Sequence, residues 1–179
     1  GAGMLLDTAE RYGTELGPPF DRWPFGRSGR CEELLGGALR RGVQPVVATK
    51  FAPTPWRNSA SDVVAACKAS CRRLGVESVD LYQLHHPDIV QPFKSFGFEN
   101  PQDVALWQGL ADCVEMGIAR NVGVCNYGPT LVARAQEALE SRGVRLATNQ
   151  INFSLLYRRQ GVLPTLAACK ARGIGVLAY

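Results

Sequence analysis

The chain has 179 residues, of which 46% are hydrophobic and 20% are charged, and its formal net charge is +4. This length and this balance are typical of a globular protein with a buried core, and residues 1–179 are expected to form a single domain. No basic stripe interleaved with aromatic residues occurs, which argues against nucleic acid as a partner. Because no apolar run reaches about 18 residues, no segment is expected to span a membrane.

The six cysteines are scattered and none belongs to a C-x-x-C pair: Cys31, Cys67, Cys71, Cys113, Cys125 and Cys169. The chain has only 2 histidines to add to them as metal ligands. We therefore expect no metal site, and reduced thiols in a soluble intracellular protein rather than a disulfide framework.

Strand-like and helix-like segments alternate along the whole chain. Predicted strands cover residues 3–7, 45–50, 79–84, 120–124, 145–150 and 174–179. Predicted helices cover residues 32–41, 59–74, 103–116, 130–141 and 162–172, with Ser59 or Ser61 as a candidate cap of the second. A glycine follows each predicted helix, as expected for a left-handed residue that ends it: Gly42, Gly75, Gly117, Gly143 and Gly173.

Strict alternation of strand and helix indicates a parallel sheet with right-handed crossovers, either doubly wound or closed as a barrel. Polar or reactive residues stand at or just after the carboxyl ends of the strands: Asp7, Lys50, His85, Cys125, Asn126, Asn149, Gln150 and Tyr179. In a barrel all of these would face one mouth, where such enzymes carry out their chemistry. Singly, each could be a turn, cap or core residue. No glycine-rich phosphate loop follows the first strand, which argues against a doubly wound dinucleotide-binding domain.

Six motifs together resemble those of the aldo-keto reductases. They are DTAERYG at 7–13, VVATK at 46–50, DLYQLHHP at 80–87, GVCNYG at 123–128, TNQINFSLLYR at 148–158 and GIGVLAY at 173–179. They follow the family's order along the chain, and their combination is specific although no single piece is. The stretches 48–57 and 152–158 are most similar to plant and algal plastid-type members.

The resemblance implies an α/β fold, the (β/α)8 TIM barrel of the aldo-keto reductases, with about six of the eight βα units present. The family's first strand and helix and its eighth strand have no counterpart here. We therefore expect either a piece of a longer protein or a truncated form that another chain completes in a larger assembly. Loops after strands 7 and 8 commonly build the phosphate site of such barrels, so that part of a cofactor site is not expected in this sequence.

The resemblance carries the family's catalytic tetrad onto Asp7, Tyr12, Lys50 and His85, whereas His86 lies one place beyond the matching position. Hydride transfer to a carbonyl carbon leaves negative charge on the oxygen, and Tyr12 would protonate it in reduction and act as the base in oxidation. A lysine ammonium beside a tyrosine stabilises the phenolate that remains. Asp7 would orient Lys50, and His85 would hydrogen-bond the substrate oxygen.

The family's nicotinamide-binding positions match Asn126 and Gln150, whose amides would hold the carboxamide, and Tyr179, on which the ring would stack. Cys125 stands where the family usually has serine, and a thiol is a weaker hydrogen-bond partner. The implied cofactor is NADP(H), a preference over NAD that comes from the family alone. The implied partner is a small carbonyl substrate, and the implied compartment is the cytoplasm or a plastid.

Two functions remain open. The first is an NADP(H)-dependent carbonyl reductase. The second is a non-catalytic binding or structural subunit that keeps the fold, because the phosphate half is missing and Cys125 departs from the family pattern. Two long segments, 14–30 and 86–101, are expected to shape the substrate pocket. Aromatic residues would give it an apolar wall: Trp23, Trp56, Phe96 and Phe98.

Overall fold

A computed structural model describes residues 3–13, 29–42, 44–54, 56–87, 103–158 and 161–179. Strands and helices alternate throughout this part of the chain, as predicted. The strands are β1 (Leu5–Asp7), β2 (Val46–Phe51), β3 (Val79–Leu84), β4 (Ala119–Cys125), β5 (Leu146–Ile151) and β6 (Gly175–Ala178). The helices are α1 (Arg30–Leu39), α2 (Ala60–Leu74), α3 (Asp103–Glu115), α4 (Pro129–Glu140) and α5 (Val162–Ala171).

The six strands form one parallel sheet whose spatial order is the chain order, β1 to β6. Each strand pairs in parallel with the next, for example Ala48 of β2 with Leu81 of β3. A doubly wound sheet reverses its strand order at a switch point, and this sheet does not. Of the two architectures that the sequence leaves open, the structure therefore supports the barrel type.

Side-chain contacts between distant strands show how strongly the sheet curls. Gln150 of β5 donates from Nε2 to Oδ2 of Asp7 in β1 at 2.9 Å, although three strands lie between them. In a flat sheet, strands four places apart would be separated by about 19 Å. Thr148 Oγ1 also lies 3.2 Å from Gln83 Oε1 of β3. The concave face of the sheet thus encloses a lumen lined by polar side chains.

The helices cover the convex face of the sheet and bury the core there. Helix α2 directs one face inward, where Val63, Cys67, Cys71 and Leu74 are all buried. Ser59 is the cap: its side chain accepts from the Asp62 backbone N–H, and the Asp62 carboxylate accepts from the Ser59 backbone N–H. The five predicted helix-ending glycines all have positive φ, between 66° and 94°.

A glycine in β4 is required by the crowding inside the lumen. A Cβ atom at Gly123 would lie 2.1 Å from Oγ1 of Thr148 and 3.2 Å from Cγ of Gln83. At the shorter distance the Thr148 side chain would have to move, so glycine at this position lets β4 and β5 pair without displacing it.

In the part of the chain that the structure describes, no helix has both the length and the apolar character needed to cross a membrane.

Candidate active site

The mouth of the curled sheet, at the carboxyl ends of the strands, collects the four residues predicted to be catalytic. Asp7 ends β1 and Lys50 is the next-to-last residue of β2. His85 follows β3 directly, and its backbone N–H donates to the Phe51 carbonyl at 2.8 Å. Tyr12 lies in the turn after β1, where its backbone N–H donates to the Ala9 carbonyl at 3.0 Å.

Lys50 is the centre of this group, with a side chain that is only 1% exposed. Its Nζ donates to Oδ2 of Asp7 at 2.6 Å, to the Thr8 carbonyl at 2.9 Å and to the Tyr12 hydroxyl at 3.3 Å. An ammonium group has three donors, so these three acceptors satisfy it fully. Because the Tyr12 oxygen is the acceptor from Lys50, the phenolic O–H remains free to be given to another acceptor.

The imidazole of His85 meets the Tyr12 ring edge to face, with centroids 5.5 Å apart. Burial lowers the pKa of His85 from 6.5 to about 4, and the charges of Lys50 and His86 add to the effect. His85 is therefore neutral near neutral pH, with one nitrogen that donates and one that accepts. Tyr12 and His85 together present two neutral hydrogen-bond donors at the mouth.

Cys125, Gln150 and Asp7 form a second hydrogen-bonded group beside the first. The Cys125 thiol donates to Oε1 of Gln150 at 3.4 Å, and Nε2 of Gln150 donates to Oδ2 of Asp7 at 2.9 Å. Burial raises the pKa of the Cys125 thiol to about 12. The group therefore stays protonated near neutral pH and acts as a donor, not as a nucleophile.

Asn126 and Tyr179 complete the mouth on the side of β4 and β6. The Tyr179 hydroxyl donates to Oδ1 of Asn126 at 3.0 Å, and 57% of Tyr179 is exposed. Asn126 has a φ of 63°, unusual for a residue other than glycine. Its backbone N–H donates to the Gln150 carbonyl at 2.8 Å, which ties the turn after β4 to β5.

Sequence reasoning missed the pair that holds the turn of Tyr12 in place. Glu10 is only 4% exposed, and its carboxylate accepts from the Ala52 backbone N–H at 2.9 Å and from both terminal nitrogens of Arg57 at 3.1 Å. The available signal was a charged residue inside the first motif, two positions before Tyr12. Its partner could not be identified, because Arg57 lies 47 residues away along the chain.

One expectation about the mouth is wrong. Asn149 does not face it: the side chain is buried and bonds the backbone of Tyr127 and the thiol of Cys169 in α5. Successive strand residues point to opposite faces, so Asn149 and Gln150 cannot both point into the lumen. Trp56 is 59% exposed, and its place in an apolar wall stays a prediction. The other three predicted wall residues lie outside the described residues: Trp23, Phe96 and Phe98.

A family model for the aldo/keto reductase family matches residues 2–179 of the chain. The chloroplastic pyridoxal reductase of Arabidopsis thaliana is 36% identical over an alignment of length 183, which covers 98% of this chain and 45% of that protein. The chain therefore belongs to the aldo/keto reductase family, as its motifs predict.

Solved structures of the same family share its fold. The Bombyx mori aldo-keto reductase AKR2E4, crystallised with NADP, superposes with a TM-score of 0.69 and 26% identity over 98% of this chain and 51% of its own. An aldo/keto reductase of Klebsiella pneumoniae, crystallised with NADP and acetate, superposes with a TM-score of 0.71 and 25% identity over 98% of this chain and 52% of its own. The chain spans about half the length of the relatives that it matches.

Proposed function

We propose that the protein is an NADP(H)-dependent oxidoreductase that reduces an aldehyde or ketone to an alcohol, with Tyr12 as the proton donor. The observation that carries the proposal is the contact set of Lys50, whose buried ammonium donates to Asp7, to the Thr8 carbonyl and to the Tyr12 hydroxyl. This set keeps a positive charge beside a phenol whose own proton is available.

The chemistry follows from these contacts. The cofactor, when bound, would supply the hydride that attacks the carbonyl carbon. Negative charge then develops on the carbonyl oxygen, and Tyr12 transfers its phenolic proton to that oxygen. The phenolate that remains is stabilised by the ammonium of Lys50, 3.3 Å away. Neutral His85 donates a second hydrogen bond to the same substrate oxygen and so fixes its direction.

The side chains beside this group fit a nicotinamide ring and its carboxamide. Gln150 donates one Nε2 hydrogen to Asp7, which leaves the second for another acceptor. Asn126 accepts from Tyr179 through its oxygen, which leaves its two N–H donors for a ligand. The exposed ring of Tyr179 offers a flat stacking surface, and Cys125 supports the Gln150 amide. The NADP complexes of the Bombyx mori and Klebsiella pneumoniae proteins favour the same cofactor.

We further propose that residues 1–179 are one domain, a TIM barrel of which about six βα units are present. The sequential order of the strands and the curl of the sheet support a barrel. The partner would be a small carbonyl compound, and pyridoxal is one candidate because the Arabidopsis relative is named for it. That relative is named as chloroplastic, which favours a plastid over the cytoplasm as the compartment.

The test is NADPH oxidation by the intact protein with a panel of aldehydes and ketones that includes pyridoxal. Tyr12→Phe should abolish turnover, since phenylalanine has no proton to give. Tyr82→Phe is the matched control, because it removes a hydroxyl that bonds the Val63 carbonyl at 3.4 Å within the core. A fully active Tyr12→Phe variant would refute the mechanism. No turnover across the panel would instead favour a non-catalytic subunit that keeps the fold.

A further inference from the structure

A line of hydrogen bonds connects the proposed cofactor site with the proposed proton donor. It runs from the Cys125 thiol to Oε1 of Gln150 at 3.4 Å, and from Nε2 of Gln150 to Oδ2 of Asp7 at 2.9 Å. The same Oδ2 accepts from Lys50 at 2.6 Å, and Lys50 donates to the Tyr12 hydroxyl at 3.3 Å. Gln150 is therefore in direct contact with the catalytic group as well as with the cofactor side.

The amide of Gln150 has only one favourable orientation in this position. If it were rotated by half a turn, its oxygen would face the carboxylate of Asp7, and two acceptors would oppose each other. Its NH2 group would then face the sulfur of Cys125, which is a weak acceptor. The charge of Asp7 and the S–H of Cys125 thus select the same orientation from opposite ends.

The carboxylate of Asp7 is less completely buried than the ammonium that it accepts from. The side chain of Asp7 is 28% exposed, whereas that of its partner Lys50 is 1% exposed. A bond from Gln150, across the lumen from β5, keeps the carboxylate turned toward Lys50 and away from solvent.

We propose that Gln150 is a positioning residue for the catalytic group: it orients Asp7, Asp7 orients Lys50, and Lys50 faces Tyr12. Cys125 contributes by fixing the orientation of the Gln150 amide. The inference rests on the proposed function, and it gives Gln150 a second role beside contact with the carboxamide. Replacement of Gln150 would therefore lower kcat even when cofactor and substrate are both saturating.

A double-mutant cycle separates this role from cofactor binding. Gln150→Met, Asp7→Asn and the double variant are compared by kcat at saturating NADPH and substrate. If Gln150 acts through Asp7, the fold-loss in kcat of the double variant should be about tenfold smaller than the product of the two single fold-losses. Asn126→Ala is the matched control, since its side chain bonds Tyr179 and not Asp7. The fold-losses in kcat of Asn126→Ala and Asp7→Asn should multiply in their double variant, within about twofold.

Two further measurements do not depend on turnover. NADPH affinity, followed by quenching of tryptophan fluorescence, should fall in both Gln150→Met and Asn126→Ala. Thermal unfolding without cofactor should show coupling between Gln150 and Asp7, and none between Asn126 and Asp7.

Cys125→Ala should lower kcat about threefold, the scale of one weak hydrogen bond, and Cys125→Ser should restore it. These two variants test the orientation of the amide even if Gln150→Met does not fold.

The outcomes separate this inference from the function on which it rests. Multiplicative losses for Gln150 and Asp7, in a protein that turns over, would overturn the positioning role and leave the reductase proposal standing. Failure of Cys125→Ser to recover what Cys125→Ala loses would overturn the part assigned to the thiol. No turnover and no NADPH binding by the unaltered protein would overturn the proposed function, and this role with it.

Discussion

The ion pair between Glu10 and Arg57 holds the turn that carries Tyr12 against β2. Both carboxylate oxygens of Glu10 accept from Arg57 at 3.1 Å, and one of them also accepts from the Ala52 backbone N–H at 2.9 Å. The Glu10 backbone N–H donates to the Lys50 carbonyl at 3.4 Å. The position of Tyr12 relative to Lys50 therefore depends on a carboxylate that is almost completely buried.

Arg57→Met should destabilise the protein because it leaves this buried carboxylate without its counter-ion. Loss of one partner of a fully buried pair costs about 3–5 kcal/mol. The Arg57 side chain is 28% exposed and Ala52 still donates, so we expect a smaller loss of about 1–3 kcal/mol. Arg57→Lys should lose less stability than Arg57→Met but more than none, because an ammonium cannot make the bidentate contact. Adding Glu10→Gln to Arg57→Met should recover part of the loss, since no buried charge then remains.

Urea unfolding, analysed by linear extrapolation, measures these differences in the free energy of unfolding. Arg120→Met is the control, since it breaks a pair with Asp80 in which the arginine side chain is 70% exposed. That change should cost about 0.5 kcal/mol or less. The role of the ion pair is refuted if Arg57→Met is as stable as the control variant, or if Glu10→Gln destabilises the Arg57→Met protein further.

Three other predictions concern the lumen, the mouth and the thiols. The pKa of His85 is lowered to about 4 from 6.5, so between these values the unfolded chain binds more protons than the folded one. The stability that this shift contributes is complete above pH 6.5 and is lost as the pH falls toward 4. Across that window, the urea midpoint of His85→Gln should therefore depend less on pH than the midpoint of the unaltered protein. Gly123→Ala should cost about 1–3 kcal/mol through its clash with Thr148, and adding Thr148→Ala should recover part of it in the same unfolding assay. Cys31 is half-buried and the chain's other five cysteines are buried, so a thiol reagent should label Cys31 first, as peptide mass spectrometry would detect.

The alternation of strands and helices could be predicted because short apolar runs alternate with helix-like segments, and a glycine follows each helix. Strand β3 has the predicted bounds, and Ser59 is one of the two candidate caps that the sequence offers. Helix α1 is displaced from its predicted range of 32–41 and lies at Arg30–Leu39. It begins after Gly29, a left-handed residue with no capping side chain. A start of this kind leaves no serine, threonine or aspartate to mark it.

The residues of the candidate site could be predicted better than the contacts between them. Residue type and position at strand ends predict that Asp7, Lys50 and Gln150 lie at one mouth. Their mutual contacts depend on how far the sheet curls, which is a property of the whole sheet and not of any motif. The bond between Gln150 and Asp7 joins residues 143 positions apart, and nothing local in either strand specifies it.

Strand β5 shows how neighbouring residues with the same amide group perform different tasks. Asn149 points toward the helices, where it accepts from the Tyr127 backbone N–H at 3.4 Å and donates to the Tyr127 carbonyl at 2.9 Å. Gln150 points into the lumen and bonds Asp7, while its carbonyl accepts from the Asn126 N–H. The turn that contains Asn126, with its unusual φ, is thus held by the side chain of Asn149 and by the backbone carbonyl of Gln150. Because the same strand also holds the carboxylate beside Lys50, the register of β5 within the sheet sets the position of the proposed cofactor side relative to Tyr12, the proposed proton donor.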